Sequence, residues 1–301
     1  MSDASLKLAA MSADTSLLVG RPVRRIGFGA MQLPGPKVFG PPRDRAEALA
    51  VLRRAVELGV NHIDTAQYYG PDVANELIHD ALHPYSDDLV LISKVGAERS
   101  PGGGRIPAQR PEQLRRGVEE NLRSLAVERL DAVNLRLMGD AEAERAPTVP
   151  LEDQLAVMVE LREEGKIGGV GLSNVSLGQV RAGLAYTQIA CVQNEMSLLQ
   201  RDAEPLFDLC RDAGIPFVPF FPLGSAFPGM PKVTDQPVVR EVADRLGATP
   251  AQVGLAWLLA RGPDVLLIPG TSSLAHLEEN VAASHVELDA EAMKALEGLR
   301  G

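Results

Sequence analysis

From residue 14 to its end the chain repeats one local pattern. A short run rich in β-branched and apolar residues is followed by a polar or glycine-rich turn, then by a stretch of helical period. The strand-like runs are 26–30, 62–64, 89–94, 132–138, 169–173, 191–195, 217–220 and 265–269, eight in all. The helical segments between them have legible ends. Asp44 with Glu47 forms a capping pattern that opens 46–58, and Gly59 closes it. Pro111 suits the first turn of 112–125, and 151–164 stops at Gly165. Ser176 with Gln179, and Thr249 with Gln252, repeat the capping logic, the second opening 249–261. Shorter helices are predicted over 75–82, 203–213, 236–246 and 274–283. Ahead of the first unit, 16–19 and 23–25 around Gly20-Arg21 read as a small hairpin.

Strand–helix alternation requires a parallel sheet with right-handed crossovers. Eight such units in 301 residues suit an α/β fold of the (β/α)8, or TIM-barrel, type, with its site at the carboxyl ends of the strands. A doubly wound sheet is the competitor, but no GxGxxG turn follows the first strand. The expected organisation is one barrel domain over 13–301, with the short N-terminal β-hairpin ahead of the barrel. Residues 1–12 are expected to be a disordered extension, Met11 offering a second start.

Charge excludes some partners. With 40 acidic against 30 basic residues the net charge is −10, which opposes binding to nucleic acid or to an anionic membrane. No run approaches the ~20 apolar residues of a membrane span. An anionic cofactor remains compatible, because clustered backbone N–H groups bind phosphate inside an acidic protein. Cys191 and Cys210 lack CxxC or Cys/His spacing and read as buried, reduced thiols, so no metal is expected. The opening MSDASLKLAA lacks a basic start followed by an apolar core, and the expected location is the cytoplasm. Oligomeric state is not legible.

Three strand ends carry ionisable side chains. Asp64 ends the second strand, Tyr69 follows in Gln67-Tyr68-Tyr69-Gly70, and Lys94 closes the third. In a barrel, neighbouring strand ends open into one mouth. Reduction of a carbonyl by hydride leaves an alkoxide, which needs a proton donor. A phenol titrating near 10 suits that role if an adjacent ammonium lowers its pKa, and Asp64 would keep Lys94 charged. Taken singly, a Lys or Asp at a strand end is more often a solvated loop anchor.

The run Asp64-Thr65-Ala66-Gln67-Tyr68-Tyr69-Gly70 resembles the DTAxxYG signature of the aldo-keto reductases. Further matches run in order from Arg25-Ile26-Gly27-Phe28-Gly29 to Ile268-Pro269-Gly270. The resemblance implies a barrel that binds nicotinamide cofactor without a Rossmann domain, with Asp64, Tyr69 and Lys94 as catalytic residues. It implies NADPH, with NADH the alternative, and a small-molecule carbonyl substrate. Ser173, Asn174 and Gln193 would hold the carboxamide, Phe220 would stack on the nicotinamide, and Leu223, Gly224 and Ser225 would follow the pyrophosphate. Ala30 and Met31 join these cofactor positions. Thr271, Ser272 and the helix start beyond them would cradle a 2′-phosphate, and Glu279 and Asn280 match an adenine-side pair.

The chain departs from the family at several points. Gly270 and His276 stand where many relatives have Lys and Arg. Gly139 stands where the family's fourth strand usually ends in a catalytic histidine, which widens the expected substrate pocket and leaves Tyr69 as the evident acid. Arg136, odd in an apolar strand, is a second substrate-side candidate, but its parity opposite Gly139 favours a structural ion pair. His62 shares the parity of Asp64 and is expected to be a satisfied core histidine.

Gly29-Ala30-Met31-Gln32-Leu33, the run 38–45 and Val133-Asn134-Leu135-Arg136 resemble a bacterial subgroup that includes pyridoxal reductase. The implied activity is NAD(P)H-dependent reduction of an aldehyde or ketone, a pyridoxal-like aromatic aldehyde leading. Reduction of a ketone or imine in specialised metabolism is an alternative, as is a cofactor-binding regulatory or scaffold role with little turnover.

Overall fold

The computed structural model describes residues 14–138, 149–224 and 231–299; the expected extension 1–12, Gly139 and Ser225 lie outside the described residues. The chain opens with strands β1 (Thr15–Leu18) and β2 (Arg21–Arg24), paired antiparallel. Val19 and Gly20, at φ 48° and 75°, form the turn. Positive φ at both central residues gives the two-residue turn whose twist matches the strands it joins. The turn thus lies one residue earlier than the expected Gly20-Arg21. Pairing Leu18 with Arg21 leaves both Leu18 and Val23 fully buried, and a one-residue slip would turn a strand's apolar side chains outward.

The alternating units follow: β3 (Phe28–Gly29), α1 (Arg45–Glu57), β4 (His62–Asp64), α2 (Val73–Leu82) and β5 (Val90–Val95). A small antiparallel ribbon, β6 (Ala97–Arg99) with β7 (Arg105–Pro107), rises from the end of β5. Then come α3 (Pro111–Leu125), β8 (Ala132–Arg136), α4 (Leu151–Glu163), β9 (Val170–Ser173), α5 (Leu177–Tyr186), β10 (Ile189–Gln193) and α6 (Glu204–Asp212). The chain ends in α7 (Pro237–Leu246), α8 (Pro250–Ala260), α9 (Leu274–Ala282) and α10 (Ala290–Glu297). The expected capping boxes form at Ser176 and Thr249, and Asp44 accepts from the Glu47 N–H at 3.0 Å.

Strands β3, β4, β5, β8, β9 and β10 lie side by side in that order, all parallel. Single parallel bridges close the ring, from Val192 to Phe217, from Phe217 to Val265 and from Leu267 back to Ile26. The seventh and eighth staves are therefore bridges, not the continuous strands expected at 217–220 and 265–269. Pro216, Pro219 and Pro269 explain this, because a proline has no N–H to give to a ladder.

Strand alternation sorts side chains into two cores. Outward residues such as Ile63, Leu91, Val133, Leu172, Val192 and Leu267 pack with the helices. Inward residues Val90, Ile92, Ala132, Cys191, Val218 and Leu266 form a separate cluster with Leu18 and Val23, so the hairpin plugs the amino-terminal end of the barrel. Towards the carboxyl ends the inner lining becomes polar, with Asp64, Lys94, Asn134 and Gln193 all buried.

His62 also turns inward. A Cβ on Gly27 would come within 2.2 Å of its Nε2, so the ring occupies the space that this glycine leaves. Burial, only partly offset by the carbonyls of Leu267 and Arg24, holds its pKa down to about 4. The imidazole is core, as expected, and no side chain among the described residues meets either of its nitrogens. Among the described residues no helix is long and apolar enough to cross a membrane.

Candidate active site

Register sets the ionisable residues at the barrel mouth. Asp64 pairs with Ile92, which puts Lys94 one inward position further along β5. Its ammonium reaches back to donate to Asp64 Oδ1, and lies 3.4 Å from the carbonyl oxygen of Thr65. Gln193, the last residue of β10, donates from Nε2 to Asp64 Oδ2 at 3.0 Å. Both carboxylate oxygens are thereby engaged, and Asp64 and Lys94 are only 3% and 5% exposed. An ion pair this enclosed persists only with such complete pairing, since each charge alone would carry a large desolvation penalty.

Lys94 Nζ sits 5.3 Å from the centroid of the Tyr69 ring. Tyr69 is buried, and burial together with the Asp64 carboxylate pushes its phenol above the ordinary value; Arg136, Arg105 and Arg99 act in the opposite direction. The expected lowering by Lys94 is not the outcome, because enclosure outweighs the cations. The phenol consequently keeps its proton at neutral pH, which a donor to an alkoxide requires.

Arg136 lies on the same strand parity as Asn134, whose Oδ1 accepts from the Cys191 thiol inside the barrel at 3.3 Å. Its guanidinium is close enough to bear on both Tyr68 and Tyr69, and its Nη1 donates to Leu137 O at 3.3 Å. Arg136 thus belongs to the mouth, on the inner parity of its strand. Arg99 clamps the loops around it, donating to the carbonyls of Tyr68 (3.0 Å), Gly103 (2.9 Å) and Val38 (3.1 Å).

Behind the ion pair runs a buried amide network that the sequence reading missed. Ser93, beside Lys94, donates to Asn121 Oδ1 at 2.5 Å, and Asn75 Nδ2 donates to the same oxygen at 2.9 Å. Thr65 donates to Asn75 Oδ1 at 2.7 Å, and Asn121 Nδ2 donates to Gln67 Oε1 at 3.1 Å. These bonds tie the backbone flanking Asp64 and Lys94 to α2 and α3. A signal was present: Asn121 interrupts the apolar stripe Leu114, Val118, Leu125 on the buried face of α3. A polar residue in such a stripe demands a partner.

The expected cofactor residues line one rim of the mouth. Ser173 ends β9 and is buried. Asn174, at φ 56°, donates from Nδ2 to Leu137 O at 2.9 Å. Gln193 keeps a buried Oε1 without a hydrogen-bond donor among the described residues. Leaving a buried acceptor unmet costs about 1–3 kcal/mol, and the N–H2 of a carboxamide would meet it, so the residues present fit a nicotinamide. Phe220, half-buried, meets Phe221 edge-on at 5.2 Å. The chain then reverses through Phe221 (φ 52°) and Gly224 (φ 88°), and Leu223 O accepts from Val233 N at 3.0 Å. A Cβ on Gly224 would lie 2.5 Å from Pro231 O. Ala30 and Met31 form a 3-10 turn directly above β3.

At the far end of that rim a Cβ on Gly270 would lie 2.4 Å from Gly29 O. This backbone approach is a physical reason for glycine where many relatives carry a side chain. Thr271 accepts from Ser273 N at 3.0 Å, while Ser272 and His276 are exposed at the start of α9. The Glu279 carboxylate accepts from the Thr249 hydroxyl, and its carbonyl accepts from Gln252 Nε2 at 3.1 Å. Glu279 therefore also joins α9 to the cap of α8, with Asn280 buried beside it. Surface clefts between α3 and α4 and below the barrel, near Arg53 and Pro84, contain no buried ionisable group.

Comparison with known proteins places this mouth in context. Residues 25–300 match the model of the aldo/keto reductase family. The chain is 47% identical over 290 residues to a pyridoxine 4-dehydrogenase of Escherichia coli (strain K12), covering 96% of this chain and 99% of the relative. Among solved structures, an aldo/keto reductase of Klebsiella pneumoniae in complex with NADP and acetate superposes with a TM-score of 0.78. It is 28% identical, with 94% of each chain covered. A thermostable aldo-keto reductase in complex with the inhibitor epalrestat also gives 0.78, at 30% identity over 94% of this chain and 98% of the other. A closed parallel barrel and a family match spanning nearly its whole length lead to one conclusion: the chain belongs to the aldo/keto reductase family.

Proposed function

We propose that this chain is an NADPH-dependent carbonyl reductase whose substrate is a pyridoxal-like aromatic aldehyde, with Tyr69, Lys94 and Asp64 as its catalytic residues. One observation carries the reading: a buried Lys94–Asp64 pair lies under the Tyr69 phenol, joined through Asp64 to Gln193, whose Oε1 still needs a donor. As a member of its family the chain is an NADP(H)-dependent oxidoreductase. The similarity to a pyridoxine dehydrogenase supports an aldehyde of pyridoxal type, and the relative crystallised with NADP supports the cofactor.

The nicotinamide, when bound, supplies hydride to the carbonyl carbon. The residues of the chain do the rest. Tyr69 gives its phenolic proton to the oxygen on which negative charge develops, yielding the alcohol, and the phenolate recovers a proton from solvent. Lys94 stabilises that phenolate, and it can do so because Asp64 holds its ammonium in place within a water-poor mouth. Gln193 and Asn174 orient the carboxamide, with Ser173. Phe220 offers a ring face, Ala30, Met31, Leu223, Gly224 and Ser225 border the cofactor, and Thr271, Ser272 and the N-terminus of α9 take the 2′-phosphate. Arg136, and Gly139 outside the described residues, border the substrate. Residues 13–301 form the one domain, and the cytoplasm is the location that suits its two free thiols.

The test is NADPH consumption with pyridoxal and benzaldehyde, wild type beside Tyr69→Phe. Turnover that falls about 10²-fold or more in the variant, with cofactor affinity kept, supports the assignment. Near-equal turnover in the two proteins refutes it.

A further inference from the structure

Tyr68 stands next to the catalytic phenol and plays no part in the chemistry above. The residue is only 3% exposed, and its hydroxyl has no hydrogen-bond partner among the described residues. A buried hydroxyl with no partner is unfavourable, and such groups in native proteins commonly have a reason. The ring meets the Tyr69 ring edge-on, with centroids 5.2 Å apart and planes at 83°.

Burial and the neighbouring Tyr69 act to raise the Tyr68 phenol, and the charges of Arg136, Lys94 and Arg105 act to lower it. Burial outweighs them and keeps this phenol protonated. The backbone here is held firmly. Tyr68 O accepts from Arg99 at 3.0 Å, Tyr69 N donates to Ala66 O at 3.0 Å, and Tyr69 O accepts from Ala74 N at 3.0 Å. Two neutral phenols therefore neighbour one another on a braced stretch of backbone, the Tyr68 hydroxyl enclosed and without a partner among the described residues. One small molecule satisfies both when it carries an acceptor oxygen adjacent to its carbonyl.

We propose that Tyr68 is a specificity-determining residue whose hydroxyl donates to an oxygen ortho to the reacting carbonyl, so that the site selects 2-hydroxy aromatic aldehydes. The proposal rests on the carbonyl-reductase reading. Tyr69 takes the carbonyl oxygen, and Tyr68 takes its ortho neighbour. Hydrogen bonds to an ionised acceptor are the stronger kind, so an ortho oxygen that carries negative charge is the better partner for the Tyr68 hydroxyl. The aldehyde of a 3-hydroxypyridine ring substituted at the adjacent carbon belongs to this class. An aldehyde without the ortho oxygen leaves the Tyr68 hydroxyl buried and unmet.

The experiment compares kcat/KM for 2-hydroxybenzaldehyde and 4-hydroxybenzaldehyde in wild type and Tyr68→Phe with NADPH, the ratio in the variant serving to cancel the intrinsic difference between the two carbonyls. Wild type is expected to prefer the ortho isomer, and the variant to lose about 10- to 100-fold of that preference. A preference unchanged in the variant, whether both rates fall together or neither falls, overturns the proposal. So does a wild type that prefers the para isomer.

Thermal unfolding of Tyr68→Phe checks that the comparison concerns a folded protein. Its midpoint is expected to equal or exceed that of the wild type, because an unmet hydroxyl has been removed while the ring stays. A lowered midpoint means that the hydroxyl has a structural partner, and overturns the proposal as well. Benzaldehyde separates the two levels of inference. If the wild type reduces it but shows no ortho preference, only the role of Tyr68 falls. If it reduces no aldehyde, the reductase reading falls and takes this proposal with it.

Discussion

Replacing Lys94 by Met tests whether the mouth is built around a buried ion pair. The side chains of Lys94 and Asp64 are 6% and 4% exposed, so the variant leaves a carboxylate inside the barrel with Gln193 Nε2 as its remaining side-chain donor among the bonds described above. Removing one partner of a buried pair costs about 3–5 kcal/mol. At roughly 2 °C per kcal/mol for a domain of this size, the unfolding midpoint should fall by about 6–10 °C. Asp64→Leu, which strands the ammonium, should cost a similar amount.

The double variant Asp64→Leu/Lys94→Met removes both charges and should recover much of the loss. The recovery is incomplete, since Gln193 Nε2 then lacks its acceptor, a deficit of about 1–3 kcal/mol. The assay is denaturant-induced equilibrium unfolding of the four proteins of the cycle, with NADPH turnover measured in parallel. All three variants should lose about 10²-fold or more in turnover. Activity lost in a double variant whose stability has returned would separate chemistry from folding. Additive stability losses, with the double variant weaker than either single one, would refute the reasoning.

Gln193→Leu should weaken NADPH binding about 5- to 10-fold, the scale of one net hydrogen bond; unchanged affinity in a fluorescence titration would remove Gln193 from the carboxamide site. Asn121→Ala breaks bonds from Ser93, Asn75 and to Gln67 at once, and should destabilise by about 1–3 kcal/mol or more while lowering turnover; a variant of normal stability and activity would deny the network its positioning role. His62 titrates near 4 when folded, against 6.5 for the free side chain. The unfolded chain therefore binds the proton that the folded chain refuses, and stability falls as pH drops through 6.5 towards 4, by up to about 3 kcal/mol. His62→Leu should flatten that part of a stability-against-pH profile, and an unaltered slope would exclude His62 as its source.

Most of the architecture could be read from the chain alone, because periodicity and helix punctuation are local properties. The strand at 62–64, the boxes at Ser176 and Thr249 and the eightfold alternation follow from residues near one another in sequence. Asp64, Tyr69 and Lys94 were legible for a related reason: each lies at or just beyond a strand end, and a barrel gathers strand ends. Closure was less legible. Whether 217–220 and 265–269 pair as strands depends on where prolines fall relative to a neighbouring ladder, which no single segment specifies.

What only the tertiary structure decided concerns direction and enclosure. Arg136 reads as a structural ion-pair residue when parity is counted on to Gly139; strand register puts it on the inner parity of β8, where its charge bears on two phenols. The Tyr69 phenol was expected to be acidified by Lys94, but its pKa is set chiefly by how completely the mouth is walled from water. Asn75, Ser93 and Asn121 look unrelated in sequence, and folding joins them into one network. Pattern is a property of the chain, whereas burial, register and the sum of nearby charges arise only when distant segments meet.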